Sequence, residues 1–174
     1  MQRKVILYIA MSVDGYIAKP GDDLSFLSIV EEEGQDYGYA DFISTVDTVV
    51  LGRKTYDWVM KQVLEFPHAD KETYVITRSP RPSIGKTVFY PGDVGELIRH
   101  LKQQSGKNIF IDGGADLVHS LMKENLIDEY IISVIPVLLG DGLSLFRNGF
   151  PEQKLILLNA RNFTSGLVQL HYKK

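Results

Sequence analysis

The sequence predicts an α/β fold in which helices cover both faces of a mostly parallel sheet. Short apolar runs alternate along the chain with amphipathic segments of helical period, which is the order of strand–helix–strand units. The first run, residues 5–11, is almost wholly apolar, as in strands that are buried on both faces. The last two predicted strands are joined through Thr164, Ser165 and Gly166, so we expect an antiparallel pair at one edge.

About eight strands and four helices are expected. The strands are predicted at residues 5–11, 48–51, 73–77, 87–90, 108–112, 130–137, 154–159 and 167–172, and the helices at 36–46, 53–61, 94–105 and 115–124. The third helix has the clearest start, because Asp93 and Glu96 occupy the N-cap and N3 positions of a capping box. Asp14 and Gly15 predict a turn, and a long polar loop is expected around residues 19–23.

Length and composition describe one ordinary domain over residues 1–174. Hydrophobic residues make up 44% of the chain and charged residues 24%, as in globular proteins, and the formal charge of −3 argues against a general nucleic-acid binder. Without cysteine there is no disulfide and no thiolate chemistry, and the four scattered histidines predict no metal site. The first residues predict neither a signal peptide nor a membrane span, so the expected compartment is the cytoplasm.

Two strand-to-helix junctions carry glycine and point to an anionic ligand. Gly113 and Gly114 follow the apolar run 108–112 and precede a helix, and Gly52 stands in the same position before Arg53, Lys54 and Thr55. Glycine lets backbone approach a ligand closely, and free N–H groups of a helix's first turn bind phosphate. The alternative to an anion site is that both junctions are only tight turns. Two such junctions in one chain favour a ligand with two separated phosphate groups.

Several motifs occur in an order that resembles a known superfamily. They are Ala-Met-Ser-Val-Asp-Gly-Tyr-Ile-Ala at 10–18, Val-Leu-Gly-Arg-Lys-Thr-Tyr at 50–56, Val-Ile-Thr-Arg at 75–78, Asp-Gly-Gly at 112–114, Leu-Ile-Asp-Glu at 126–129 and Pro-Val-Leu-Leu-Gly-Asp-Gly at 136–142. Together they resemble the dihydrofolate reductase-like superfamily, and within it the reductase (RibD C-terminal) domain of bacterial riboflavin biosynthesis in its stand-alone YwjB/YyaP type. The resemblance implies a three-layer sandwich with helices on both faces of the sheet.

The same resemblance implies NADPH as cofactor and hydride transfer to a heterocycle. Ala10 and Ile17 match positions that flank the nicotinamide. The positions that match the pyrophosphate and adenosine sites are Gly52, Arg53, Lys54, Thr55, Thr77, Arg78, Gly113, Gly114, Ala115 and Asp116. Arginines of this kind recognise the additional 2′-phosphate of NADPH through bidentate contacts.

Two carboxyl groups are candidates for the proton donor. Asp36 matches the acid of dihydrofolate reductases when residues are counted back from Gly52, and it heads the apolar stripe of the first helix. Held there it would have a raised pKa and act as a general acid, whereas the alternative is an acid that supports the helix dipole. Asp112 lies at the end of a strand before the glycines; it could serve the substrate or only cap the next helix.

Two classes of function stay open. The first is an NADPH-dependent reductase of a small nitrogen heterocycle or its sugar adduct, similar to 5-amino-6-(5-phosphoribosylamino)uracil reductase, with dihydrofolate as a weaker alternative. The second is a nucleotide-binding protein that has lost catalysis. Residues 20–28 contain no basic side chain that could hold a substrate phosphate.

A homodimer is possible through the apolar stretch 132–139, although a buried strand explains that stretch equally well. Trp58 is expected in the core.

Overall fold

The computed structural model describes residues 2–174 and contains ten strands and four α-helices. In chain order they are β1 (Val5–Ser12), β2 (Tyr16–Ala18), α1 (Tyr39–Ser44), β3 (Val46–Gly52), α2 (Arg53–Gln62), β4 (Glu72–Ile76), β5 (Thr87–Tyr90), α3 (Val94–Gln103), β6 (Asn108–Gly113), α4 (Ala115–Lys123), β7 (Glu129–Ile135), β8 (Leu143–Ser144), β9 (Ile156–Asn162) and β10 (Val168–Lys173). A 3-10 helix at Ser25–Val30 precedes α1.

Eight strands form the central sheet, in the order β5-β4-β3-β6-β1-β7-β10-β9. The first six in this order run parallel, and β10 and β9 complete one side as antiparallel strands. The predicted mostly parallel sheet with an antiparallel carboxyl-terminal edge is therefore confirmed. Strands β2 and β8 form a separate two-stranded ribbon.

Helices lie on both faces of the sheet, as predicted. On one face α3 and α4 pack against alternate residues of the central strands, among them Leu7, Ile109 and Ile111. On the other face α1 and α2 pack against the residues in between, including Ile6 and Phe110. The 3-10 helix covers the carboxyl end of β7 on this second face, where Phe26 and Val30 meet Ile135. Because successive side chains of a strand point to opposite faces of the sheet, β6 contributes residues to the hydrophobic core on each face.

Three local predictions differ from the structure. The first helix spans six residues rather than 36–46, because Gly38 has a left-handed φ of +83° just before it and Val46 already belongs to β3. The polar loop after β2 contains the 3-10 helix, whose short apolar segment gives no helical period over 11 residues or more. Trp58 lies on α2 with 38% of its surface exposed, so its prediction as a core residue was wrong.

The apolar stretch 132–139 is mainly an interior strand. β7 lies between β1 and β10, and Ile132 and Ile135 are buried within the chain's own core. The buried strand is therefore the correct reading of this stretch up to residue 135. No helix within residues 2–174 is long and apolar enough to cross a bilayer.

One buried cation connects three elements at the amino edge of the sheet. The Arg3 side chain is 3% exposed and donates to the Lys107 carbonyl (2.8 Å), the Leu101 carbonyl (3.2 Å) and Thr48 Oγ1 (2.5 Å). It also forms an ion pair with Asp47, whose carboxylate accepts from the Lys107 N–H at 2.7 Å. Four of the five guanidinium N–H groups thus hold the segment before β1, the start of β3 and the end of α3 together.

Candidate active site

The two glycine turns lie side by side at the carboxyl edge of the sheet. β3 ends at Gly52 and β6 ends at Gly113, and these strands are neighbours. A Cβ built on Gly114 would stand 3.4 Å from Thr55 Oγ1 and 4.0 Å from the Gly52 Cα. Gly114 also has a φ of +75°, which L side chains rarely adopt. Glycine at this position is therefore required by the backbone and keeps the space between the two turns free.

These turns mark a topological switch point. The chain leaves β3 through α2 toward β4 on one side, and it leaves β6 through α4 toward β7 on the other. The two helices consequently lie on opposite faces of the sheet, and a crevice opens between their amino ends. In open α/β sheets, ligands bind in this crevice outside the carboxyl ends of the strands.

The two helices that begin at the switch point have no side-chain cap. Their N-cap residues are Gly52 and Gly114, and neither first turn receives a capping hydrogen bond from a side chain. By contrast, the predicted cap of α3 is present, since Asp93 accepts from the Glu96 N–H at 2.8 Å. The first-turn N–H groups of α2 and α4 thus remain available to an anion, and the partial positive charge of both helix ends favours one.

Basic side chains surround this edge. Arg53 donates from Nε to Asp57 at 2.6 Å, which fixes the guanidinium beside the start of α2. Lys54 and Arg78 are exposed, and within residues 2–174 no hydrogen bond or ion pair engages either of them. Arg147 reaches the first turn of α4 and pairs with Asp116 at 2.5 Å. Arg53, Lys54 and Arg147 therefore lie at the two uncapped helix ends, and Arg78 follows the neighbouring strand β4.

The candidate cofactor residues follow the order of the strands. Thr77 and Arg78 come after β4, Gly52 ends β3, Gly113 ends β6, and Ala10 lies on β1; these four strands are consecutive in the sheet. Thr77 is buried, and its hydroxyl accepts from the Ser79 N–H at 3.1 Å. At about 4.8 Å between strands, the row extends roughly 14 Å along the edge. The order of these residues along the edge is the order in which the resemblance assigns them to the adenosine, pyrophosphate and nicotinamide of the cofactor.

The remaining predicted positions contribute in different ways. Ala115 is buried, so only its backbone N–H can face a ligand. Thr55 is half-buried on the first turn of α2, with its hydroxyl against Gly114. Ile17 on β2 packs against the core on the α3 and α4 face, whereas Ala10 lies on the opposite face of the sheet. The structure therefore does not bring Ala10 and Ile17 into one cluster.

An open cleft of about 620 Å³ lies beside the carboxyl end of β1, on the face covered by α1 and the 3-10 helix. Its walls carry three tyrosines and Ser133, and its rim is acidic. The lining residues are Tyr8, Ala10, Leu27, Val30, Glu31, Glu32, Glu33, Gln35, Asp36, Tyr37, Tyr39, Ser133, Ile135 and Leu167. Because it contains Ala10, the cleft meets the end of the row of candidate cofactor residues.

Gln169 fixes the wall of this cleft. Its side-chain amide lies 3.2 Å from each of three acceptors, namely Tyr8 Oη, Ser133 Oγ and the Tyr37 carbonyl. Gln169 is 8% exposed, so this network is held out of water. A buried, satisfied network of this kind fixes the positions of the hydroxyl groups that face the cleft.

Asp112 is the unpaired residue of a bulge in β6. Val50 pairs with Ile111 and Leu51 pairs with Gly113, so Asp112 has no partner on β3. Bulges next to active sites re-aim side chains. Burial raises the pKa of the Asp112 carboxyl to about 7, and burial together with this carboxylate raises the pKa of the Tyr39 hydroxyl on the cleft wall. Asp112 is thus a carboxyl group that is substantially protonated at neutral pH, directed toward the face that carries the cleft.

The sequence model of the RibD C-terminal domain family matches residues 3–169. The chain belongs to this family. Among curated proteins it is similar to the uncharacterized protein YwjB of Bacillus subtilis (47% identity over 99% of this chain and 98% of the relative). It is also similar to the uncharacterized protein YyaP of the same organism, with 31% identity over 98% and 95% of the two chains.

Solved structures of the RibD type have the same fold. A putative riboflavin biosynthesis protein from Shewanella sp. PV-4 superposes with a TM-score of 0.86 at 30% identity, covering 99% of this chain and 98% of the other. A diaminohydroxyphosphoribosylaminopyrimidine deaminase/5-amino-6-(5-phosphoribosylamino)uracil reductase from Thermotoga maritima gives a TM-score of 0.72 at 15% identity, over 99% of this chain and 56% of the other. The resemblance found in the motifs is thus confirmed, and a reductase-like role is supported by membership of the RibD C-terminal family.

The expectation of a raised pKa at Asp36 was wrong for this RibD-type chain. Its carboxylate accepts from the N–H groups of Ala40 and Gly38, both at 2.9 Å, and these bonds hold the pKa of Asp36 below its usual range. The residue is exposed and lies just before α1, where it binds an N–H group of the first turn. This agrees with the alternative that the sequence left open, an acid that supports the helix dipole. Asp36 does lie on the rim of the cleft. A carboxylate that is ionised at neutral pH is poorly suited to donate a proton.

Two contributions to the site were not found from the sequence. Asp14 reaches across to the loop after β7 and accepts from the N–H groups of Leu139 (3.1 Å) and Gly140 (2.7 Å). The Ser12 hydroxyl donates to it at 2.6 Å, and these bonds lower the pKa of Asp14 to about 2. Arg147 pairs with Asp116 from 31 residues away. No local pattern of residues signals either contact.

No group of three or more histidine, aspartate or glutamate side chains within residues 2–174 is arranged to hold a metal ion. The site therefore offers backbone N–H groups, arginines, hydroxyls and carboxyls as its chemical groups.

Proposed function

We propose that this protein is an NADPH-dependent reductase of a small nitrogen heterocycle. The observation that carries the proposal is the pair of uncapped, glycine-led helix ends at the topological switch point. This point adjoins a cleft, and the half-buried carboxyl group of Asp112 lies on the sheet face that carries the cleft. Membership of the RibD C-terminal family supports the same conclusion.

The residues at the carboxyl edge fit the cofactor. Gly52 and Gly114 leave room for a pyrophosphate against the first turns of α2 and α4, which a Cβ at Gly114 would obstruct. Arg53, Lys54 and Arg78 supply the positive charge that a 2′-phosphate requires. Ala10 would border the nicotinamide ring, since it lies at the end of the row that opens into the cleft.

The chain's own contribution to the reaction is a proton and an oriented substrate. When bound, NADPH supplies a hydride to a carbon of a polarised C=N or C=O bond. The heteroatom of that bond gains a proton, for which Asp112 is the candidate donor because its pKa of about 7 keeps a large acid fraction at neutral pH. The hydroxyls of Tyr8 and Ser133 accept from the Gln169 amide, which positions them to orient a polar ring.

The test is turnover with purified protein and a panel of pyrimidine, pteridine and related heterocycles, followed by the loss of NADPH absorbance. Oxidation of NADPH that depends on one heterocycle, with a reduced product of two additional mass units, supports the proposal. Tight NADPH binding without turnover of any heterocycle would instead favour a nucleotide-binding protein that lacks the activity. Absence of NADPH binding would contradict both.

A further inference from the structure

The charge of the cleft bears on which substrates it can accept. Four of its lining residues are acidic, namely Glu31, Glu32, Glu33 and Asp36, and none is lysine or arginine. All four are exposed at the rim. Hydrogen bonds from backbone N–H groups hold the pKa of Asp36 below its usual range, so this carboxylate is ionised at neutral pH.

A second cleft on the other side of the 3-10 helix has the same sign of charge. It has a volume of about 370 Å³ and is lined by Asp22, Asp23, Glu31 and the indole of Trp58, among others. The two clefts share Leu27 and Glu31, so they flank one short helix. A ligand approaching this face therefore meets carboxylates on both sides of the helix.

The cations near the rim are already engaged. The Arg161 guanidinium stacks over the Phe163 ring, 4.9 Å from its centroid, and its charge is near Asp36. Lys19 donates to Ser25 Oγ at 2.8 Å and lies 3.9 Å from Asp23. One arginine and one lysine do not balance six carboxylates, so the face keeps a net negative potential.

The walls of the cleft suit a flat polar ring. Tyr8, Tyr37 and Tyr39 line the cleft, and Ser133 adds a hydroxyl. The Tyr8 ring stacks on Phe42, and the Tyr37 hydroxyl donates to the Val30 carbonyl at 2.5 Å, so the tyrosines are held in place by the protein. Aromatic rings of this kind pack against heterocycles and attract positive charge on them. They offer no group that would compensate the charge of a phosphate, which is about −1.5 to −2 at neutral pH.

We propose that the cleft accepts an unphosphorylated amino-heterocycle, neutral or positively charged, and discriminates against the phosphorylated form of the same compound. This inference rests on the proposed function, because it specifies the substrate of that site. It follows from the acidic rim, the absence of basic lining residues and the aromatic hydroxyl walls.

The experiment compares cytidine with cytidine 5′-monophosphate, using calorimetry on protein saturated with NADP⁺. We expect the nucleoside to bind at least tenfold more tightly, and we expect the difference to shrink when the salt concentration rises from about 0.05 to 0.5 M. Equal affinities, tighter binding of the monophosphate, or binding of neither compound at about 10 mM would each overturn the proposal.

Variants that neutralise the glutamates of the rim test whether their charge causes the preference for the nucleoside. The triple variant Glu31→Gln, Glu32→Gln, Glu33→Gln should reduce the preference for the nucleoside at least threefold. The matched control, Glu65→Gln, Glu96→Gln, Glu152→Gln, removes the same total charge from exposed positions outside both clefts and should leave the preference unchanged. Equal effects of both triples would show that net charge alone is responsible and would refute the role of the rim.

Two further measurements separate this proposal from the others. Arg161→Gln should not weaken binding of the monophosphate; a loss of tenfold or more would make Arg161 a phosphate clamp and contradict the proposal. The dissociation constant of NADPH is measured for every variant. If NADPH does not bind at all, the proposed function fails, whereas normal NADPH binding with a preference for the monophosphate defeats only the inference about the substrate.

Discussion

Gly114 lies directly against Thr55, so that a Cβ on the glycine would stand 3.4 Å from the threonine hydroxyl oxygen. This contact joins the amino ends of α2 and α4, which follow neighbouring strands but lie on opposite faces of the sheet. The close approach of two uncapped helix ends is what makes the carboxyl edge suited to a pyrophosphate.

Replacing Gly114 by valine is therefore expected to abolish NADPH binding, since the side chain would occupy the space between the turns and the φ of +75° would be strained. Gly85→Val is the matched control, because Gly85 also has a positive φ, of +56°, but has open space around its Cβ and precedes β5 at the opposite edge. Calorimetry and thermal unfolding of both variants are the measurements. Normal NADPH binding by a folded Gly114→Val protein would show that the loop is only a turn.

The basic residues at the edge should have separable effects. Arg53→Ala and Arg78→Ala are expected to weaken NADPH binding more than NADH binding, because their charge serves the 2′-phosphate. Arg147→Ala should weaken both cofactors to the same degree, since Arg147 lies at the start of α4, next to the pyrophosphate turn. The dissociation constants of both cofactors for the three variants test this. Unchanged preference in both Arg53→Ala and Arg78→Ala would remove the two arginines from 2′-phosphate recognition.

The rate of a reductase that uses Asp112 as its acid should depend on pH in a defined direction. The carboxyl must be protonated, and burial raises its pKa to about 7, so turnover is high below pH 7 and falls as the pH rises above it. Asp112→Asn should lower turnover by about 10²–10⁴-fold and remove this pH dependence, with NADPH affinity unchanged. Asp41→Asn, at an exposed site on α1, is the control. Turnover of Asp112→Asn within about threefold of the wild type would exclude Asp112 as the donor.

The buried Arg3 network predicts a large effect on stability. Arg3→Met leaves Asp47 and three further acceptors without their donor, which should lower the free energy of unfolding by roughly 3 kcal/mol. This value is at the lower end of the range for breaking a buried ion pair, because Asp47 remains partly hydrated. Arg99→Met breaks an exposed pair with Glu124 and should change the free energy of unfolding by less than about 1 kcal/mol. Urea unfolding of both variants checks the difference, and equal losses would contradict the role of Arg3.

The same network sets a pH dependence of stability. Burial would raise the pKa of Asp47, but the Lys107 N–H, the Thr48 hydroxyl and Arg3 outweigh it and hold the pKa below the usual value. A lowered pKa in the folded state means that this contribution is present above the ordinary aspartate pKa and disappears as the pH falls through the folded-state pKa. Arg3→Met should therefore lose less stability than the wild type on acidification. A parallel decline of both proteins would show that the pair does not contribute.

The sequence predicted the parts of the structure that depend on local patterns. Strand and helix positions follow from apolar periodicity, and the cap at Asp93 follows from a short motif. The order of strands and the acidic cleft were not predictable, because they arise from contacts between distant segments. The pKa of Asp36 was misjudged for a local reason: an Asp-Tyr-Gly segment forms a turn whose N–H groups bind the carboxylate, which a helical-period count overlooks.

Asp112 is a second residue whose environment could not be predicted from local sequence patterns. Its position at the end of a strand was evident, but the bulge that leaves it unpaired depends on the register between β6 and β3. The pairing of Arg147 with Asp116 likewise needs the loop after β8 to pass the start of α4. Both features concern the site, and both require the folded arrangement of elements far apart in the chain.

The most direct test of the central claim is the affinity of the wild-type protein for NADPH and NADH, measured by calorimetry in the same buffer. We expect NADPH to bind at least tenfold more tightly, since one charge-assisted contact with the 2′-phosphate contributes about 1.5–3 kcal/mol. Equal dissociation constants, or no binding of either cofactor, would contradict the assignment of this edge of the sheet as an NADPH site.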